Sequence, residues 1–189
     1  MGLQLRRRKL SYMLIDEAIE AAKAAGLLHP AVPVEPWAPR ARAFLMCVPL
    51  RDDIEAGKTD PDEKIRSRWA QLEVAISTFV VGGYVTENLV KQLQPPRHEH
   101  WELRSRKPKP SLRVFGRFAK PDVFVGTHVM LRKALGGMWS AQFEHEKLVC
   151  EAHWRDAGLP EARAFTDPPL FRYEAYVTEN ASRKVQVPK

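Results

Sequence analysis

Apolar side chains recur at spacings of three and four residues in several parts of the chain, which predicts amphipathic helices. The ranges that fit best are 11–25, 61–81, 86–93 and 143–157. The sequence Asp60-Pro61-Asp62-Glu63 strengthens the second range, because Asp, Pro and Glu suit the first positions of a helix. In the last helix we expect Leu148, Cys150 and Trp154 to be buried.

Other segments are continuously apolar or alternate between apolar and polar side chains, which is typical of strands. They are 41–50, 101–105, 112–118, 123–127 and, near the C-terminus, 170–177. Residues 51–60 are charged and turn-like. The connections 107–110 and 119–122 are short enough for hairpins, so the three central strands are expected to form an antiparallel sheet.

Prolines at positions 30, 33, 36 and 39 predict an extended linker over 29–40, since proline fits neither a helix interior nor an inner strand. We therefore divide the chain into three parts. An N-terminal helix and linker cover 1–40, an α+β domain covers 41–135, and a C-terminal helix and tail, packed on that domain, cover 136–189.

The 189 residues contain only two cysteines, Cys47 and Cys150, and both lie within predicted elements. We expect buried free thiols, no disulfide framework and a reducing, cytoplasmic location. No segment approaches the roughly 20 apolar residues of a membrane span, and no signal-peptide core follows the basic N-terminus. The sequence therefore predicts a protein that does not contact membranes.

Basic side chains are concentrated between Trp101 and His128, in a chain of formal net charge +7. They are Arg104, Arg106, Lys107, Lys109, Arg113, Arg117 and Lys120. Alternation places Arg113, Phe115 and Arg117 on one face of the middle strand. Phe115 could stack on a base there, although a covered sheet face explains it equally well. The pattern predicts a cationic sheet face for a polyanion, with nucleic acid as the favoured partner.

Three short motifs support a more specific expectation. Trp101-Glu102-Leu103-Arg104 is followed by a basic loop, then by Arg113-Val114-Phe115 and then by the apolar strand Val123-Phe124-Val125. With the element order β-α-α-β-β-β, this pattern resembles the RelE/ParE superfamily of small bacterial toxins over about residues 41–135. The resemblance implies a curved antiparallel sheet backed by two helices, with an N-terminal helix and a C-terminal helical extension added here.

The RNase branch of such families implies a toxin of a toxin–antitoxin system that cleaves messenger RNA, commonly on the ribosome. The 2′-hydroxyl would attack the adjacent phosphate without a metal ion or cofactor. Arg113 matches the arginine of the third strand, Arg132 or Lys133 would match the second basic position, and His128 could carry the proton. The remaining basic residues of the stretch would bind RNA: Arg104, Arg106, Lys107, Lys109, Arg117 and Lys120.

Several alternatives stay open at this point. The chain is about twice the usual length of the family and lacks one branch's basic ending, so it could be a domesticated relative or a ParE-like topoisomerase inhibitor. The same basic face could bind RNA or DNA without catalysis, or the sheet edge could hold a partner protein such as an antitoxin. Separately, His98-Glu99-His100 could bind a metal or act on RNA, although surface polarity is the commoner explanation of such a pair.

Overall fold

The part of the chain that the structure describes forms an α+β fold with one six-stranded mixed sheet and four α-helices. This computed structural model describes residues 14–137, 139–161 and 173–180. No helix in these ranges is both long enough and apolar enough to span a bilayer.

The four helices are α1 (14–24), α2 (Val48–Lys58), α3 (Glu63–Val80) and α4 (Ala141–Asp156). Two of them begin at side-chain caps. The Asp62 carboxylate accepts the Lys64 N–H at the start of α3, and the Ser140 hydroxyl accepts the Phe143 N–H at the start of α4. Caps of this kind satisfy backbone donors that a helix leaves unpaired in its first turn.

The six strands are β1 (Leu28–Pro30), β2 (Ala43–Cys47), β3 (Val90–Gln92), β4 (Trp101–Arg104), β5 (Leu112–Lys120) and β6 (Val123–Leu131). Their order across the sheet is β1-β2-β6-β5-β4-β3. All neighbours are antiparallel except β2 and β6, which run parallel. The expectation of a wholly antiparallel sheet is therefore wrong, because α2, α3 and strands β3 to β5 come between β2 and β6 in the chain, and so long a connection allows a parallel pair.

Helices cover the sheet on both faces, and side-chain alternation along the strands separates a large core on one face from two smaller ones on the other. Phe44, Phe124 and Val114 face the first core, with α2, α3 and the segment 173–177. Leu45 and Val125, their neighbours in sequence, face the second core, which α1 and the end of α4 complete through the following side chains: Ile15, Ile19, Ala22 and Trp154. The central strand β5 is consequently buried along nearly its whole length.

Two predicted elements between β2 and β4 differ from the structure. Residues 51–60, expected to be a charged turn, mostly belong to helix α2, whose inward face is only Leu50, Ile54 and Gly57. So narrow an apolar stripe gives little periodic signal. The helix predicted over 86–93 is instead a turn at Thr86 followed by β3, because the Thr86 carbonyl accepts the Leu89 and Val90 N–H groups and the chain then extends.

The ends of the described chain also differ in part from the predictions. β1 overlaps the first two residues of the stretch expected to be a linker. Pro30 occupies the last position of this edge strand, where its missing N–H costs little. Leu148 is 63% exposed rather than buried, whereas Cys150 and Trp154 are buried as expected. Of the strand predicted over 170–177, residues 173–175 form a 3-10 turn and 170–172 lie outside the described residues.

Gly116 allows β5 and β6 to approach closely and gives the first prediction. It pairs with Gly126, and a β-carbon on Gly116 would lie 2.2 Å from the Val125 carbonyl oxygen. A backbone atom cannot move aside, so Gly116→Ala should lower the free energy of unfolding by about 1–3 kcal/mol. Urea denaturation measures this loss. Gly137→Ala is the matched control, because nothing lies within 4 Å of its added carbon, and an equal loss in both variants would contradict the packing argument.

Candidate nucleic-acid interface

The basic residues predicted to share one sheet face fall into two groups in the structure. Arg113 and Arg117 of β5 are only 6% and 7% exposed, because α4 and its flanking segments cover their face of the sheet. Arg106, Lys107 and Lys109 lie in the β4–β5 connection and are exposed. Only the second group is open to a large anionic partner.

Arg113 is held by protein groups around its guanidinium. Its Nη1 donates to the Ser105 carbonyl at 2.7 Å, to the Leu112 carbonyl at 2.8 Å and to Ser111 Oγ at 3.1 Å. Its Nε lies 3.6 Å from Glu102 Oε2, and the same carboxylate lies 3.0 Å from Arg104 Nε. Burial lowers the pKa of Arg113 to about 10, which still leaves it charged at pH 7. These contacts favour a structural role for Arg113.

His128 lies in the same covered layer and is 6% exposed. Its ring stacks on Phe115 with centroids 5.0 Å apart and planes 8° apart, and its Nε2 lies 3.0 Å from Glu146 Oε2 of α4. Burial, with His153 and His145 nearby, lowers the pKa of His128 to about 4. Phe115 is fully buried between these groups, so the covered-face explanation of this ring is confirmed and base stacking is not available to it.

Arg117 and Lys120, the other two predicted phosphate ligands on β5, also have protein partners. Arg117 Nη2 donates to the His98 carbonyl at 2.7 Å and lies 3.6 Å from Glu151 Oε1 of α4. Lys120 forms an ion pair with Asp16 of α1. Both cations therefore join the sheet to the elements that cover it.

Arg132 and Lys133 form a 3-10 turn directly after β6. The Arg132 N–H donates to the Ser111 carbonyl at 2.8 Å, which places this turn beside the start of β5. Its guanidinium donates to the Gly136 carbonyl at 2.6 Å and lies 5.9 Å from the centre of the Phe143 ring. Lys133 is exposed. Of the four residues predicted to be catalytic, Lys133 is thus the most accessible, and Arg113 and His128 are the least.

A groove of about 620 Å³ lies between α3 and the β4–β5 connection. We call it the basic groove, and its cationic wall consists of Arg104, Arg106, Lys107 and Lys109. Its apolar surface comes from Val74, Ala75 and Leu89. The polar residues that complete the lining are Gln71, Thr78, Thr86, Asn88 and Ser105.

All charged side chains that line the basic groove are positive. Among the residues that line it, four are cationic and none carries a carboxylate or an aromatic ring. Arg104 is partly engaged, because its Nη1 donates to the Glu87 carbonyl at 2.7 Å and its Nε contacts Glu102. Arg106, Lys107 and Lys109 reach solvent, so an anion can approach them without displacing a buried ion pair.

The sequence therefore located the cationic wall of the basic groove but not its opposite wall on α3. Four of the six residues predicted to bind nucleic acid line one surface, whereas Arg117 and Lys120 lie elsewhere. One residue in the sequence could have indicated that wall. Val74 lies in the middle of α3 but outside its buried apolar stripe, and the structure leaves it 46% exposed. An apolar side chain outside the buried stripe of a helix can mark a contact surface.

No family model matches this chain, and no curated protein or solved structure does either. The functional argument therefore rests on the geometry and charge of the basic groove.

The contacts of Arg113 give the second prediction. Arg113→Ala removes three hydrogen bonds and one of the two guanidinium partners of the buried Glu102 carboxylate. We expect the free energy of unfolding to fall by about 3–5 kcal/mol, as is typical when a buried ion pair loses one member.

Lys133→Ala serves as the control, since this side chain is exposed and its removal should change stability by less than about 0.5 kcal/mol. Urea denaturation followed by circular dichroism compares the two variants. Wild-type stability in Arg113→Ala would show that the guanidinium is not a structural group and would return it to the list of candidate catalytic residues.

Proposed function

We propose that this protein binds single-stranded RNA through the basic groove. The observation that carries the proposal is the lining of the groove, where four cations face an apolar surface without an interspersed carboxylate. A polyanion gains most of its affinity from such a surface by releasing counterions. The formal net charge of +7 adds long-range attraction for the same class of partner.

The two walls of the basic groove suit different parts of a polynucleotide. Arg106, Lys107 and Lys109 can follow successive phosphates along the exposed β4–β5 connection. Val74 and Leu89 offer an apolar surface to bases or sugars. Bases reach such a surface only when they are unpaired, and this favours a single strand over a duplex.

The polar groups at the rim favour RNA over DNA. The amide side chains of Gln71 and Asn88 are exposed and can donate to or accept from a ribose 2′-hydroxyl. Because no aromatic ring lines the groove among the described residues, base stacking contributes little. Affinity should consequently depend on phosphate contacts more than on base identity.

Replacing two cations in the groove tests this proposal. In Lys107→Gln/Lys109→Gln, affinity for a fluorescent oligouridylate should fall, and the slope of log K against log salt should become shallower by about 1.4, or about 0.7 per phosphate contact. Fluorescence anisotropy across a salt series measures both quantities. The matched control is Lys64→Gln/Arg155→Gln, which removes two exposed cations outside the groove.

An equal loss of affinity in both double variants would mean that the basic groove is not the interface. Binding that does not respond to salt would contradict phosphate recognition altogether. A deoxyuridine oligonucleotide of the same length tests the role of the ribose. We expect it to bind more weakly than the RNA, and equal affinity would remove the argument from the 2′-hydroxyl.

A RelE-like endoribonuclease is the second candidate function. The element order β2-α2-α3-β4-β5-β6 supports it, although β3 adds a strand that the expected order lacks. In that proposal messenger RNA, on or off the ribosome, is the substrate, and an antitoxin protein is the natural partner. Arg113 and His128 would have to act from beneath α4, which makes binding without cleavage the better-supported function.

Incubation with RNA in the presence of a chelator separates the two candidates. Binding without catalysis predicts intact RNA after long incubation, with and without added ribosomes. Metal-independent cleavage that disappears in His128→Ala, with the variant still folded by circular dichroism, would establish the nuclease instead. Wild-type protein is assayed in parallel with Lys107→Gln/Lys109→Gln. A contaminating RNase would cleave RNA at the same rate in both preparations.

A further inference from the structure

Three side chains of types that can bind a metal ion meet outside the basic groove. His98 ends a 3-10 turn (Pro96–His98), His100 precedes β4, and Glu151 projects from α4. Each offers one ligand atom, and these three atoms all lie within 4.8 Å of one another. Segments far apart in the sequence therefore bring two imidazoles and a carboxylate to one place.

The backbone at Glu99 holds the two histidines in this arrangement. Glu99 adopts a left-handed conformation with φ of 54°, which is uncommon for a residue with a side chain. Its buried carboxylate accepts hydrogen bonds from Tyr176 Oη at 2.8 Å and from Trp101 Nε1 at 3.4 Å. These two partners belong to the first core and anchor Glu99 there. The flanking rings of His98 and His100 lie with centroids 6.0 Å apart.

Glu151 completes the cluster from the covering helix. Its Oε1 lies 3.2 Å from His100 Nε2, and Arg117 Nη2 lies 3.6 Å from the same carboxylate oxygen. Arg117 also donates to the His98 carbonyl, so it links the carboxylate with the turn that carries His98. Groups in this second layer commonly orient metal ligands. The His98 side chain is exposed and that of Glu151 is 34% exposed, so an ion can enter from solvent.

We propose that His98, His100 and Glu151 bind a divalent transition-metal ion, with Zn²⁺ the best match. Two neutral imidazoles and a carboxylate form a donor set that Zn²⁺ takes with about 2.0–2.2 Å bonds and one open position. Such bonds bring tetrahedral ligand atoms to about 3.4 Å from one another. The three ligand atoms, which lie within 4.8 Å of one another, would have to move closer on binding.

Arg117 sets the main energetic cost of binding. Its Nη2 lies 3.5 Å from His100 Nε2, and a bound cation replaces this contact. The Glu151 carboxylate, 3.6 Å from Arg117 Nη2 and itself a ligand, attracts both positive charges and so offsets their repulsion. The metal ion thus links the 95–100 segment to α4, a connection that Arg117 already makes through Glu151 and the His98 carbonyl. The site is separate from the basic groove.

Titration of the full-length, tag-free protein with Zn²⁺ tests the proposal. Isothermal titration calorimetry should give one Zn²⁺ per chain for wild type. His98→Ala and Glu151→Gln should each weaken binding by at least about tenfold, because each removes one of three ligands. His145→Ala is the matched control, since His145 is an exposed histidine on the same helix outside the cluster.

Co²⁺ provides a second readout, because the visible absorption of bound Co²⁺ reports its ligand geometry. The spectrum of the wild-type complex should persist in His145→Ala and change in His98→Ala, a variant at an exposed position that should fold normally. Circular dichroism confirms that fold. Absence of stoichiometric Zn²⁺ binding by wild type, or unchanged affinity in folded His98→Ala, would overturn the proposal, whatever the outcome for RNA.

Discussion

The burial of β5 on both faces is the constraint on which the rest of the structure depends. Charged groups taken out of water need partners, because an unpaired buried ion costs several kcal/mol. Arg113 and Arg117 meet this requirement with Glu102, Glu151 and backbone carbonyls. Helix α4 can cover the strand only because its inward face supplies carboxylates as well as apolar side chains.

This pairing determines which cations remain for an external partner. The arginines of β5 form their hydrogen bonds inside the protein, whereas the basic residues of the β4–β5 connection are exposed. There they face α3 across an open groove. The same charge pattern along the chain thus has two physical roles, one in holding α4 to the sheet and one at the surface.

Much of the fold was predictable from local sequence. The Asp60–Glu63 motif placed the start of α3 within two residues, although the cap is Asp62 and not Asp60. Strands β4 to β6 followed from alternation, and α4 was recognised with nearly correct ends. Helix α2 was missed because Leu50 and Ile54 provide too few apolar positions to show a period. β3 was missed because its short extended segment follows a turn that resembles the first turn of a helix.

The candidate site was predictable only in part, and the reason is tertiary. Alternating arginines give the same sequence pattern whether their sheet face is exposed to solvent or covered by a polar helix face. Buried Glu146 and Lys147 gave α4 the pattern of a surface helix, so nothing in the sequence showed that it would cover Arg113 and His128. The opposite wall of the basic groove depends on the packing of α3 against the sheet, which no local pattern encodes.

Lysine acetylation footprinting tests the central claim most directly, because it reports which cations an RNA covers. The protein is labelled with and without oligouridylate, and mass spectrometry compares the modification rate at each lysine. The account predicts that RNA slows the modification of Lys107 and Lys109 and leaves the exposed Lys64 and Lys133 unchanged. Protection at Lys133 without protection at Lys107 and Lys109 would contradict it and would place the RNA at the turn after β6.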